Sequence, residues 1–104
     1  MAYEKCLAVL SDPTRRAVFE HLRSGPAAAG DLARHFPVSR PAISQHLNTL
    51  LDAGLVEVER RGTQRIYSIR LAGLEALRSW LDGFWETALA NYKEALERDE
   101  HGDQ

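Results

Sequence analysis

The sequence is poor in the residues from which disulfides, thiolate metal sites and membrane spans are built. Its 104 residues include one cysteine, Cys6, which excludes a disulfide framework or a cysteine-based zinc site within one chain. No apolar run approaches the roughly 18 residues of a membrane-spanning helix, and no apolar segment follows a basic N-terminus as in a signal peptide. We therefore expect one soluble, cytoplasmic domain, residues 1–104, without membrane association.

An overall positive charge is also missing, but the charges are unevenly distributed. The net charge is −2, which argues against indiscriminate binding to nucleic acid. Residues 13–70 nevertheless contain nine arginines and five acidic residues, whereas residues 71–104 contain three basic and eight acidic residues. This division is typical of a segment that binds a polyanion beside an acidic segment that does not contact the polyanion. Ordinary proteins also show such a division.

Apolar periodicity and capping residues predict a mostly helical domain with a small β-hairpin, in the order α-α-α-α-β-β-α. Asp12-Pro13 is a strong start signal for the second helix, Ser39 caps the fourth, and Gly54 is suited to its C-terminal end. A polar, frayed tail is expected at 99–104. The predicted elements are helices at 3–10, 13–24, 28–35, 39–53 and 72–98, and strands at 55–60 and 65–70 joined by 61–64.

Residues 28–53 have the parts of a helix-turn-helix, in which the second helix enters the DNA major groove. With Ile43, Leu47 and Leu50 buried, the opposite face of 39–53 has no acidic residue between Arg40 and Thr49, unlike most exposed helix faces. Its short polar groups can donate to and accept from base edges; the alternative is a neutral polar cover over the core. The candidate DNA contacts here are Ser39, Arg40, Pro41, Ser44, Gln45, His46, Asn48 and Thr49.

The hairpin at 55–70 is predicted to be a DNA-binding wing. Its tip collects three arginines around a flexible glycine-containing turn, and such a tip can follow the phosphate backbone or enter the minor groove. The alternative is a solvated turn whose arginines pair with Glu57 and Glu59. The candidate contacts are Arg60, Arg61, Thr63, Gln64 and Arg65.

The last predicted helix carries more apolar surface than one small subunit can bury. Trp80, Phe84, Trp85 and Tyr92 lie within thirteen residues, and each ring brings a large apolar area. The alternative to a dimer is a monomer whose last helix folds back over the hairpin. We predict a homodimer with 1–10 and 72–98 as its dimerisation helices. The candidate interface residues are Leu7, Leu10, Leu74, Leu77, Leu81, Phe84, Trp85, Ala88 and Tyr92.

Four segments together resemble the ArsR (ArsR/SmtB) family of bacterial winged-helix repressors. They are LSDPTRR at 10–16, DLA at 31–33, VSRPAISQHL at 38–47 and LLDAGLV at 50–56. The resemblance extends over residues 3–98. It implies a homodimeric repressor that binds an imperfect inverted repeat in double-stranded DNA and often controls its own operon. The third helix lacks the Cys-x-Cys motif of the metal-sensing members, so the resemblance is to the branch without metal sensing.

The remaining chemistry-bearing residues are expected to be structural. Carboxylates alone are poor ligands for soft metals, so Asp82 and Glu86 are expected to be solvated, and no metal or cofactor is predicted. Cys6 is expected to be a small buried group, with a redox role left open. Arg15 and Arg16 are expected either to touch phosphate or to form an ion pair with a nearby carboxylate.

No pair of nucleophile and base indicates an enzyme. The competing interpretation is a winged-helix module that binds another protein and no DNA. The sequence does not identify an effector ligand.

Overall fold

The computed structural model describes residues 2–102 and contains five α-helices and a three-stranded antiparallel sheet. The helices are α1 (Ala2–Val9), α2 (Pro13–His21), α3 (Ala29–His35), α4 (Arg40–Asp52) and α5 (Leu71–Gly102). A 3₁₀ turn, Leu22–Ser24, follows α2, and the strands are β1 (Ala27–Ala28), β2 (Val56–Arg61) and β3 (Gln64–Ile69). The predicted fold class, a winged helix-turn-helix with a long terminal helix, is confirmed.

Helix α2 begins where the capping residues indicate. The Asp12 carboxylate accepts a hydrogen bond from the backbone N–H of Arg15 at 3.0 Å, and Pro13 occupies the first helical turn, where no N–H partner is needed. The helix gives way to the 3₁₀ turn after His21, so the predicted single helix to Ser24 is wrong over its last three residues. A tightened last turn of this kind is common at helix ends.

The core lies between α2, α3, α4 and the base of the hairpin. Leu32, Ile43, Leu47 and Leu50 are fully buried, as the helical spacing predicted. Close packing of these branched side chains sets the positions of α3 and α4 relative to each other. Cys6, Val9, Val18, Phe19, Leu22, Leu55, Val56 and Tyr67 complete the buried cluster.

The sheet differs from the prediction in two ways: its hairpin turn is shorter, and it has a third strand. The strands pair from Val56 with Ile69 to Arg61 with Gln64, which leaves a two-residue turn, Gly62-Thr63, rather than the predicted four-residue connection. Gly62 has φ +63°, a value that suits glycine at the first position of such turns. Strand β1, which pairs with the far edge of β3, was not predicted, because two alanines carry neither β-propensity nor alternation.

Helix α5 begins against the end of α4 and then leaves the core. A Cβ built at Gly73 would overlap the carbonyl oxygen of Gly54 and lie 2.9 Å from its carbonyl carbon, so the two backbones meet directly. The helix continues to Gly102, past the predicted end near Arg98, and Glu94 pairs with Arg98 at 3.5 Å one turn apart. The rest of the predicted tail, Asp103 and Gln104, lies outside the described residues.

Candidate nucleic-acid interface

The position of α4 is set by its own caps and by a short connection from α3. The Ser39 hydroxyl accepts from the backbone N–H of Ala42 at 3.3 Å, and Pro41 lies in the first helical turn. The connection Phe36–Ser39 is tight, because the Val38 N–H bonds to the Phe36 carbonyl at 2.8 Å while both side chains pack on the core. At the other end Gly54 takes φ +76°. Helices α3 and α4 therefore form the predicted helix-turn-helix.

One side of α4 faces the hairpin across an open groove of about 410 Å³. Arg40, Ser44 and Asn48 are spaced by four residues, which places them in a row along one face of a helix. The opposite wall is the hairpin, so the two predicted DNA-contacting elements are joined in one surface. Seven of the predicted contact residues line this groove: Arg40, Ser44, Asn48, Arg60, Thr63, Gln64 and Arg65.

Sequence reasoning did not include the third wall of the groove. Gly30, Asp31 and Arg34 of α3 line it, together with Tyr67 of β3. The signal for α3 was weak, because an Asp and an Arg three residues apart are typical of any solvated helix face.

Other predicted contact residues lie outside the groove. Pro41 and Gln45 are exposed on α4, whereas Thr49 is half-buried and its hydroxyl donates to the Gln45 carbonyl at 3.0 Å. Arg61 is exposed and pairs with Glu59 at 3.3 Å, as the alternative interpretation of the hairpin expected for its arginines. Ser39 serves as the cap of α4.

His46, which helical spacing places on the flank of α4, is half-buried. In the described part of the chain no hydrogen bond joins it to Ser44, and its buried Nδ1 atom has no hydrogen-bond partner. It lies close to the start of α2, where the pKa of Asp12 is lowered chiefly by the Arg15 N–H and to a smaller extent by the charge of His46. The structure therefore directs His46 toward α2.

The groove carries an excess of positive charge, most of which is not neutralised by ion pairs among the described residues. Arg40, Arg60 and Arg65 have no carboxylate within 4.0 Å among residues 2–102. Asp31 is the one acidic side chain among the lining residues of the groove. Such a surface attracts a polyanion although the whole chain is acidic.

Comparisons with known proteins also indicate a helix-turn-helix domain. A family model described as a helix-turn-helix domain matches residues 10–59. An HTH-type transcriptional regulator of Mycobacterium tuberculosis is 48% identical over 100 residues, covering 96% of this chain and 92% of that protein. The crystal structure of an ArsR family transcriptional regulator has a TM-score of 0.74 at 31% identity, and the match covers 83% of this chain and 89% of that chain.

The chain belongs to the ArsR family of transcriptional regulators. It is thus a DNA-binding regulator of transcription. A further solved structure, the homodimeric winged helix-turn-helix DNA-binding domain of a possible ArsR-family regulator from Mycobacterium bovis, has a TM-score of 0.65 at 26% identity. It covers 79% of each chain.

The arginines that open α2 in this ArsR-family chain contact the end of α1. Arg15 donates to the Val9 carbonyl at 3.1 Å, and Arg16 donates to the Leu10 carbonyl at 3.1 Å. Both side chains therefore satisfy carbonyl groups at the end of α1, which have no partner within that helix. These contacts were not predicted, and the expected phosphate contact or ion pair stays a prediction.

The predicted dimer residues of this ArsR-family chain fall into two groups. Leu10, Leu74 and Leu77 are partly buried against the core of their own subunit. Leu7 of α1 and the residues further along α5 are exposed. Trp80 of α5 stacks on Tyr3 of α1 with ring centroids 5.4 Å apart, so it connects these two helices. The exposed group on α5 comprises Leu81, Phe84, Trp85, Ala88 and Tyr92, with Leu89 and Leu96 in addition.

Side chains that could ligate a metal or be oxidised make contacts within their own chain. Cys6 is buried, its Sγ atom lies 3.6 Å from the Ala53 carbonyl, and burial raises the pKa of its thiol. Asp82 pairs with Arg78 at 3.8 Å. His21 and His35 pack together with ring centroids 4.6 Å apart. Within residues 2–102, no three His, Cys, Asp or Glu side chains are grouped closely enough to hold a metal ion.

No helix in the described part of the chain is both long enough and apolar enough to cross a membrane.

Proposed function

We propose that this chain is a homodimeric transcriptional repressor that binds an imperfect inverted repeat in double-stranded DNA and acts in the cytoplasm. The observation that carries the proposal is the groove between α4 and the hairpin. There Ser44 and Asn48 of α4, which can bond to base edges, face Arg60 and Arg65 of the hairpin, which have no carboxylate partner among residues 2–102. Such a surface can lie against one side of a duplex, with α4 in the major groove and the hairpin beside it on the backbone or in the minor groove.

Two copies are proposed because one α4 reads only a few base pairs. A twofold axis through the exposed face of α5 would present two α4 helices to one side of the duplex. Recognition of half-sites about one helical turn apart, or a multiple of it, then follows from the spacing of the two helices. The homodimeric relative from Mycobacterium bovis supports this assembly.

Replacing Gln45 by alanine tests the base-reading role of α4. Gln45 is exposed and can bond to adenine in the major groove, so its loss is expected to remove about 1–3 kcal/mol of discrimination at one base pair of each half-site. The measurement is selection from a randomised duplex pool, followed by sequencing of the bound fraction. Wild type is expected to select an inverted repeat, and Q45A a repeat that is degenerate at one position. An unchanged selected motif would remove Gln45 from the interface.

Replacing Arg65 by alanine tests the hairpin. Arg65 lines the groove without a carboxylate partner, and a phosphate contact carries no sequence information. R65A is expected to weaken binding to all duplexes by a similar factor and to reduce the salt dependence by about one unit per subunit. Titration of selected and unselected duplexes at several salt concentrations measures both. A loss confined to the selected sequence would contradict this assignment.

The same titrations distinguish the proposed DNA binding from the competing function, binding to another protein. Under that interpretation the wild-type chain would retard no duplex even at low salt, because nothing in its groove would be used for nucleic acid. Binding of duplexes with a steep salt dependence supports the proposed function.

A further inference from the structure

The wall that α3 contributes to the groove contains an ion pair with both partners accessible. Arg34 Nη2 lies 2.9 Å from Asp31 Oδ1, and the two side chains are 80% and 57% exposed. Both residues line the groove. Neither is held by packing, so the pair can open without disturbing the core.

Arg40 lies over the same turn of α3. A Cβ built at Gly30 would be 3.9 Å from the Nη2 atom of Arg40, which places this guanidinium at the residue that precedes Asp31. Yet among the described residues the carboxylate of Asp31 pairs with Arg34 alone. The groove thus holds one carboxylate among four arginines, Arg34, Arg40, Arg60 and Arg65.

We propose that Arg34 is a DNA-phosphate contact and that Asp31 competes with the phosphate for it. The inference rests on the proposed function and adds a residue pair that limits affinity. A guanidinium binds a carboxylate and a phosphate oxygen through the same donor geometry, so Arg34 can exchange one for the other. In free protein Arg34 is held by Asp31; on a duplex it turns to the backbone, and Asp31 is left facing the phosphates. Asp31 therefore weakens binding to any DNA, whatever its sequence.

The experiment measures binding to a labelled duplex of random sequence, about 30 base pairs long, between about 50 and about 200 mM KCl. A random duplex suffices because phosphate contacts do not depend on sequence. R34A is expected to weaken binding on the order of fivefold and to reduce the salt slope by about one unit per bound subunit. D31N is expected to strengthen binding about threefold, since a competing and repelling charge is removed.

The double variant D31N/R34A distinguishes competition from simple repulsion. If Asp31 acts through Arg34, most of the gain seen in D31N disappears when Arg34 is absent. An equal gain in both backgrounds would overturn the competition, as would an unchanged salt slope in R34A. If wild type binds no duplex at all, it is the proposed function that fails; if wild type binds and R34A is unaffected, only this inference fails.

A matched ion pair outside the groove provides the control. Arg98 and Glu94 on α5 lie 3.5 Å apart with exposures of 74% and 66%, similar to the pair on α3. R98A and E94Q are expected to leave affinity and salt slope unchanged. Changes equal to those in R34A and D31N would mean that overall charge alone is measured and would overturn the assignment. Thermal melting of each variant confirms that the fold is kept.

Discussion

Replacing Trp85 by glutamate is expected to convert the protein into a monomer and to weaken its binding to an inverted repeat by about 100-fold or more. Trp85 is 66% exposed in the single subunit and is flanked on the same face of α5 by Leu81 and Tyr92. A carboxylate at this point would be buried without a partner in the proposed dimer, whereas in the monomer it is solvated. Sedimentation velocity measures the first effect, and titration of the selected repeat measures the second.

The control is Ala90→Glu on the same helix. Ala90 is exposed and lies about 140° around α5 from Trp85, away from the exposed apolar stripe formed by Leu81, Phe84, Trp85, Ala88, Leu89, Tyr92 and Leu96. This variant adds the same charge and is expected to remain dimeric and to bind as wild type does. Dimeric W85E with intact affinity would exclude this face of α5 as the interface. Monomeric wild type would exclude the dimer itself.

Replacing Gly73 by valine is expected to destabilise the fold by about 3 kcal/mol or more. Any Cβ at this position meets the backbone of Gly54, and a backbone carbonyl cannot turn aside as a flexible side chain can. The start of α5 would have to move away from the end of α4, which also disturbs the buried Leu55 beside it. Urea denaturation at a fixed protein concentration measures the free energy of unfolding.

Gly83 offers a control within the same helix. A Cβ at Gly83 meets no heavy atom within 4 Å, so G83A is expected to stabilise the protein by about 0.5–1 kcal/mol through the better helix propensity of alanine. If G73V unfolds at the wild-type urea concentration, the contact between α5 and Gly54 does not contribute to stability.

Gly73 also connects the two functional parts of the molecule. Helix α5 carries the exposed apolar residues and α4 carries the row of groove residues, and the two helices meet where Gly73 contacts the backbone of Gly54.

The local elements were predictable because their signals lie in neighbouring residues. Asp12 and Ser39 satisfy backbone N–H groups three residues ahead, and the spacing of Ile43, Leu47 and Leu50 specifies the buried face of α4. The long apolar stripe of α5 was visible for the same reason. The segments shared with the ArsR family added the expectation of a homodimeric repressor that binds an inverted repeat, and the relatives confirmed the family.

The side-chain environments at the interface were decided only by tertiary packing. His46 lies close to the start of α2, and Arg15 and Arg16 donate to carbonyls at the end of α1, because these neighbours come from other helices whose approach helical periodicity does not encode. The groove itself, with its α3 wall, exists only once α3, α4 and the hairpin are assembled. The helices and their caps thus follow from hydrogen bonds between residues close in sequence and from the spacing of apolar residues. The juxtaposition of charges from distant segments follows from how the core packs.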